Sequence, residues 1–252
     1  MNTPDTLVFI ANGGKGRRLH DHIPALRDGI LPKGLAVEHD HAPLIKKQLS
    51  QISEAFKLSQ FVLSFTREES IDQFEKMIAQ GLLPALEYIY TLNTYTEHDT
   101  GTDVFMNYLL GSNVSFDKYS TVIETSGDLY VSDEVFSTPQ PASNINYICE
   151  KDLLTGTHQP NMKNIQFRTD ETGLVVGFET MTQVPNKILG HPMFLTPQCA
   201  DLKRDMPKHS SNRLFVMRAI EEGHDFKIIK PRALINVNTP RDLENLNSIS
   251  NS

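Results

Sequence analysis

Apolar residues run unbroken through Leu7-Val8-Phe9-Ile10-Ala11 and stop at Asn12-Gly13-Gly14. An unbroken run is what a strand covered on both faces requires, as in the parallel sheets of α/β proteins. Leu44, Ile45, Leu49, Ile52 and Phe56 then recur at helical spacing and predict a helix over 44–57. Phe61–Phe65 predicts a second strand, Ile71–Gln80 a second helix and Leu86–Tyr90 a third, half-alternating strand. This β-α-β-α-β order has crossovers long enough for helices, so the sheet it builds should be mostly parallel.

Further on, Val104, Phe105, Tyr108 and Leu109 keep a helical period, and Tyr119–Thr125 leads into Ser126-Gly127-Asp128. From Asn144 the pattern changes. Ile145–Cys149 reads as a strand, and 165–168 with 174–178 as a hairpin around Asp170-Glu171-Thr172-Gly173. A short strand in 190–197, a helix from Leu214 to Glu222 closed by Gly223, and a strand over 226–229 follow. In the closing segment Leu234–Glu244, Thr239 can cap a helix that begins at Pro240 with Asp242 in its first turn. The expected architecture is one Rossmann-like α/β domain over residues 1–252, with a mixed, mostly parallel central sheet flanked by helices.

Composition narrows the class. With 39% hydrophobic and 22% charged residues in 252, the chain matches ordinary globular proteins rather than disordered or fibrous ones. A net charge of −7 argues against a general nucleic-acid binder, whose nonspecific affinity needs a broad basic face. The local balance differs, because Lys15, Arg17, Arg18, Arg27 and Lys33 gather near the amino end. A small anionic ligand fits that distribution.

Cys149 and Cys199 are fifty residues apart and form neither a disulfide framework nor a zinc motif, so both should be buried thiols. The His20-Asp21-His22 and His39-Asp40-His41 triplets lack helical i, i+4 spacing and read as surface histidines. The first residues lack the basic, apolar and small-residue succession of a signal peptide, and no apolar run reaches membrane-spanning length. A cytoplasmic protein without a membrane partner is the expectation.

The candidate chemistry starts where the first strand ends. Glycines let the backbone approach an anion and point successive N–H groups inward. Ala11, Asn12, Gly13, Gly14, Lys15, Gly16 and Arg17 would then cradle phosphates, with Lys15, Arg17 and Arg18 adding charge-assisted hydrogen bonds. The stretch is neither a GxxxxGK[ST] loop nor a GxGxxG fingerprint followed by an acid. Lys33, after Pro32 on a loop entering a short strand, is placed to reach a phosphate. Gly101-Thr102 reads either as a plain turn with a helix cap or as a loop whose backbone reads the edge of a base. Asp128, just past a central strand, lies where open α/β sheets bind ligands and is the best metal-ligand candidate.

Taken in order, Gly14-Lys15-Gly16-Arg17-Arg18, Pro32-Lys33, Gly101-Thr102, Gly127-Asp128 and Asn238-Thr239-Pro240-Arg241-Asp242-Leu243 give the chain a resemblance to the nucleotidyltransferases that make NDP-sugars and related NDP-alcohols. The similarity of order covers nearly the whole chain. It implies that Gly14, Gly16 and Arg18 bind a triphosphate, that Lys15 supports the β- and γ-phosphates, and that Lys33 sits near the α-phosphate. It implies base contacts from Gly101 and Thr102, and Mg²⁺ ligation by Asp128 and Asn238. Arg18, Lys33 and Asp128 are then the catalytic set.

The reaction implied is attack of a phosphate monoester oxygen on the α-phosphorus of CTP or UTP, with release of pyrophosphate. The acceptor would be a sugar phosphate or a small phosphorylated alcohol. Two departures stand out. Arg17 replaces the usual Thr, and the Glu-Lys-Pro of sugar-phosphate branches is missing, with Lys187 the nearest cation to hold the acceptor. Two other readings stay open: a weakened nucleotide-binding regulator, and a glycosyltransferase using a finished NDP-sugar. The second needs an Asp-x-Asp that Asp128-Leu129-Tyr130 does not supply.

Overall fold

The computed structural model describes residues 5–12, 16–92, 114–137, 141–152, 165–180, 187–207 and 210–250. In chain order the strands are β1 (Thr6–Asn12), β2 (Glu38–His39), β3 (Ala42–Pro43), β4 (Ser59–Phe65), β5 (Tyr88–Leu92), β6 (Thr121–Ser126) and β7 (Leu129–Val131). β8 (Ile145–Asp152), β9 (Ile165–Thr169), β10 (Val175–Thr180), β11 (Lys187–Leu195), β12 (Asp225–Ile229) and β13 (Leu234–Asn236) complete them. The described helices are α1 (Lys33–Ala36), α2 (Leu44–Ala55), α3 (Glu68–Ala79), α4 (Pro197–Arg204), α5 (Asn212–Glu221) and α6 (Pro240–Ser250).

Seven strands form the main sheet in the order β12-β8-β11-β6-β1-β4-β5. β1 pairs in parallel with β4 and β6, β4 with β5, and β8 with β12, while β11 runs antiparallel to both of its neighbours. The mostly parallel sheet expected from the pattern is the one observed. β9 and β10 form the expected hairpin, and β13 closes against β7.

The continuous apolar run of β1 has the predicted physical cause, since both its faces are covered. Leu7 and Phe9 join the core layer that includes Phe215 of α5, while Val8 and Ile10 join the layer that includes Ile45, Leu49 and Ile52 of α2. Each side chain in β1 from Leu7 to Ile10 is at most 1% exposed. Cys149 and Cys199 are both buried and unpaired, and burial raises both thiols above their ordinary range. No helix among the described residues is long and apolar enough to cross a membrane.

A third core cluster lies beside the sheet and explains the polar stretch that follows the glycine-rich loop. Leu19 and Leu26, carried on single 3-10 turns, pack with Val37, Tyr130, Val237 and Leu246. The segment between Arg18 and Lys33 is thus anchored by two leucines on the α6 side of the fold.

Lys33 corrects a sequence expectation. It begins the one-turn helix α1 rather than a loop entering a strand, with Pro32 at φ −68° and ψ 156° just before it. An extended proline cannot be continued by intrahelical donation from its own nitrogen, which makes it a natural boundary before the helical turn.

Candidate active site

Lys33, Asp128 and Asn238 were named from three distant parts of the sequence, and the fold brings them to one point. Lys33 Nζ pairs with Asp128 Oδ2. It also donates to Asn238 Oδ1 at 2.6 Å and to the Val237 carbonyl at 3.2 Å. An ammonium only donates, so the oxygen of the Asn238 amide is the atom that faces the cation. Its nitrogen turns to Asn236 Oδ1, 2.7 Å away.

Each partner is held by its own local structure. Asp128 follows β6, and its carboxylate accepts from the Ser126 hydroxyl. The turn carrying it is gripped by Gln48 of α2, a fully buried amide that donates to the Ser126 and Leu129 carbonyls at 2.8 and 2.5 Å and accepts from Thr125 at 2.8 Å. Asn238 precedes α6. Asp242 Oδ2 accepts from the backbone N–H groups of Asn238 and Thr239 at 3.0 and 2.8 Å and from the Thr239 hydroxyl at 2.8 Å. The Asp242 N–H donates back to Thr239 Oγ1 at 3.4 Å, which makes the cap reciprocal and fixes the residue that enters the site.

Glycines set how closely the segments meet. A Cβ on Gly34 of α1 would stand 2.4 Å from the Gly127 carbonyl oxygen, and one on Gly127 would stand 1.8 Å from Asn12 Oδ1. α1 therefore meets the β6 turn backbone to backbone, while Gly127 takes the Asn12 side chain against it and donates its N–H to the Ala11 carbonyl of β1 at 3.0 Å. Gly16, at φ +56°, presses the end of the glycine-rich loop against the Lys33 stem, where an added Cβ would lie 3.2 Å from Lys33 Cγ.

Burial pushes the Asp128 carboxyl up, but the charge and hydrogen bond of Lys33 together with Ser126 outweigh it, and the net effect holds the group below the ordinary carboxylate range. The site thus presents a permanent carboxylate and a carboxamide oxygen converging on one cation. Hard oxygen donors in small number suit Mg²⁺, which keeps waters and substrate phosphates for the rest of its shell. Among the described residues no group of three or more His, Cys, Asp or Glu side chains is placed to hold a metal.

Other predicted residues fall as follows. Ala11 and Asn12 end β1 beside Gly127, and both polar atoms of the buried Asn12 amide lack a hydrogen-bond partner. Arg17 and Arg18 are exposed on the 3-10 turn that follows Gly16, with Leu19 buried between them and the core. Lys187 opens β11 opposite Asp152, on the backbone alone. Gly13, Gly14, Lys15, Gly101 and Thr102, and the helix expected from Val104 to Leu109, lie outside the described residues.

The sequence reading missed Gln48, Gly34, Ser126 and Asn236. Only Gly34 carried a signal, since a glycine directly after Pro32-Lys33 invites the question of what approaches it.

Neither a protein-family model nor a curated protein matches this sequence. Solved structures match it in fold. The inositol-1-phosphate CTP transferase from T. maritima superposes with a TM-score of 0.64 at 14% identity, over 98% of this chain and 97% of that one. A putative glucose-1-phosphate thymidylyltransferase from Bacillus anthracis gives 0.65 at 10% identity, over 97% and 95%. A 4-diphosphocytidyl-2C-methyl-D-erythritol synthase from Anaerococcus prevotii gives 0.60 at 10%, over 99% and 97%. The chain has the nucleotide-diphospho-sugar transferase fold of these proteins over nearly its whole length.

Proposed function

We propose that this chain is a nucleotidyltransferase that joins the NMP part of an NTP, CTP or UTP, to a sugar phosphate or a small phosphorylated alcohol and releases pyrophosphate. The observation that carries the reading is the meeting of Lys33, Asp128 and Asn238 at the carboxyl end of β6. The fold shared with CTP- and thymidylyl-using transferases supports it. In this reading residues 1–252 act as one domain, in the cytoplasm.

The chemistry asks for alignment and charge neutralisation rather than a nucleophilic side chain. An oxygen of the acceptor phosphate forms a bond to the α-phosphorus of the NTP as the bond from that phosphorus to the β-phosphate bridging oxygen breaks. Arg18 and Lys15, with the N–H groups of the loop from Ala11 to Arg17, bind the triphosphate. Gly101 and Thr102 contact the base, and Lys187 reaches the acceptor. Lys33 leaves its pairing with Asp128 for the α-phosphate, where its charge opposes the negative charge that builds on the equatorial oxygens.

Asp128 and Asn238 would hold Mg²⁺, since their oxygens already face a single cation. The ion, when bound, supplies neutralising charge to the phosphates. The test is pyrophosphate release across a panel of NTPs and phosphorylated acceptors with Mg²⁺. A working pair supports the reading, and silence across the whole panel refutes it.

A further inference from the structure

An ammonium has three N–H donors and no acceptor, and Lys33 Nζ meets three oxygens: Asp128 Oδ2, Asn238 Oδ1 at 2.6 Å and the Val237 carbonyl at 3.2 Å. Lys33 keeps 7% exposure and Asp128 8%. A carboxylate, a carboxamide oxygen and a peptide oxygen converging on one point also make up the kind of hard donor set that a divalent cation takes. The lysine therefore holds a cradle that suits another cation.

The shape of that cradle does not depend on Lys33. The Asp128 carboxylate accepts from Ser126, and its turn is gripped by Gln48. The Asn238 N–H is bonded to Asp242, and its carboxamide nitrogen donates to Asn236 Oδ1 at 2.7 Å, which leaves the amide oxygen facing inward. The two walls are joined directly, because Asn236 of β13 pairs opposite Leu129 of β7 and the Val237 N–H donates to the Asp128 carbonyl at 2.9 Å. None of these bonds uses the lysine. The oxygens stay converged when it leaves.

Lys33 itself has somewhere to go. Its backbone is fixed at the start of α1, but the charge sits on a flexible four-carbon stem. The stem passes beside Gly16 at the end of the glycine-rich loop, where an added Cβ would lie 3.2 Å from Lys33 Cγ. Rotation of its outer bonds carries Nζ between the cradle and that loop. Two cations cannot share the cradle, because like charges in contact and shielded from water repel strongly and only one of the three acceptors carries a charge.

We infer that this cradle is an exchange site, which holds either the Lys33 ammonium or the divalent ion, so that the ion enters only as a triphosphate draws Lys33 away. The inference rests on the transferase reading for the anion that does the drawing. Metal binding and nucleotide binding are thereby coupled through one side chain.

Manganese(II), whose free ion is read by electron paramagnetic resonance, reports binding without turnover. Lys33→Met keeps the stem and removes the charge, and without nucleotide it should bind manganese about tenfold or more tightly than wild type does. Lys33→Ala should behave alike. Adding Asp128→Asn to Lys33→Met should abolish the gain, and manganese should raise the Tm of Lys33→Met while leaving that of wild type in place. Equal manganese affinity in wild type and Lys33→Met, or a gain that survives Asp128→Asn, would overturn the inference.

Wild type gives a reading of its own should the lysine variants fail to fold. The side-chain carbon-13 resonances of Lys33 should hold their place when Mg²⁺ alone is added and move when CTP or UTP is added. Movement with Mg²⁺ alone, or with neither nucleotide, would also overturn it. The two claims separate cleanly. Tight, Asp128-dependent manganese binding by Lys33→Met while no NTP and acceptor pair releases pyrophosphate upholds the exchange and removes the transferase reading. Pyrophosphate release beside manganese binding that is indifferent to Lys33 does the reverse.

Discussion

Replacing Gly34 with alanine sets two magnitudes of opposite sign against each other. Gly34 sits in helix α1, and Gly→Ala in a helix interior ordinarily gains up to about 1 kcal/mol. Here the new Cβ would stand 2.4 Å from the Gly127 carbonyl oxygen and 2.7 Å from its carbon, both backbone atoms on a turn held by Gln48. Reaching ordinary contact requires α1 and that turn to part by roughly 1 Å or more. Overpacking of this kind costs about 1–3 kcal/mol, which exceeds the propensity gain expected from a single short turn.

The net expectation is a loss of about 1–2 kcal/mol, read as a lower urea midpoint at unchanged slope. The displacement falls on the residue that leads Lys33 to Asp128, so transfer should drop by about 10²-fold. An alanine variant as stable as wild type, with full activity, would show that the Gly34–Gly127 contact does not position the site.

Three further outcomes follow from the same geometry. Asp242→Ala removes an acceptor that serves three donors, and should lower stability by about 1–2 kcal/mol in denaturant unfolding; an unchanged midpoint would refute the cap. Lys203→Met leaves the buried Glu124 carboxylate unpaired and should cost about 3–5 kcal/mol, whereas Glu124→Leu combined with it should regain most of the loss. If the double variant is no better than the single one, the desolvation argument is wrong. Because the folded Asp128 carboxyl titrates below its unfolded value, its contribution to stability is complete above the ordinary carboxylate pKa of ~3.9 and is lost as pH falls through the folded value. The stability difference between wild type and Asp128→Asn should therefore shrink on acidification below about pH 4, and a difference that grows there would contradict the depressed pKa.

What could be read from the chain was whatever local pattern determines. β1 announced itself because burial on both faces demands an unbroken apolar run, and the β-α-β-α-β order followed from alternating periods. Lys33 and Asp128 were legible as separate candidates, and the shared order of motifs added Asn238 and joined the three to one site before the fold did. The close approach of Gly34 to Gly127 was not legible, because it depends on how two distant turns stack. Nor was the buried Glu124–Lys203 pair, where a lysine on one helix meets a carboxylate 79 positions away and no spacing rule links them. Lys33 was placed on a loop entering a strand because Leu35, Ala36 and Val37 look strand-like. The tight packing at Gly127, and the Pro32 carbonyl accepting from the Leu35 and Ala36 N–H groups, go with a helical turn there.

The central claim is that Asp128, faced by Lys33 and Asn238, is the centre of nucleotidyl transfer. Its most direct test is the rate of pyrophosphate release by Asp128→Asn beside Asn238→Ala, each with the NTP and acceptor pair that wild type uses and each checked for a native circular-dichroism spectrum. The account predicts a loss of about 10³-fold for the folded Asp128→Asn protein and a much smaller loss for Asn238→Ala. A folded Asp128→Asn protein that turns over at the wild-type rate would contradict it.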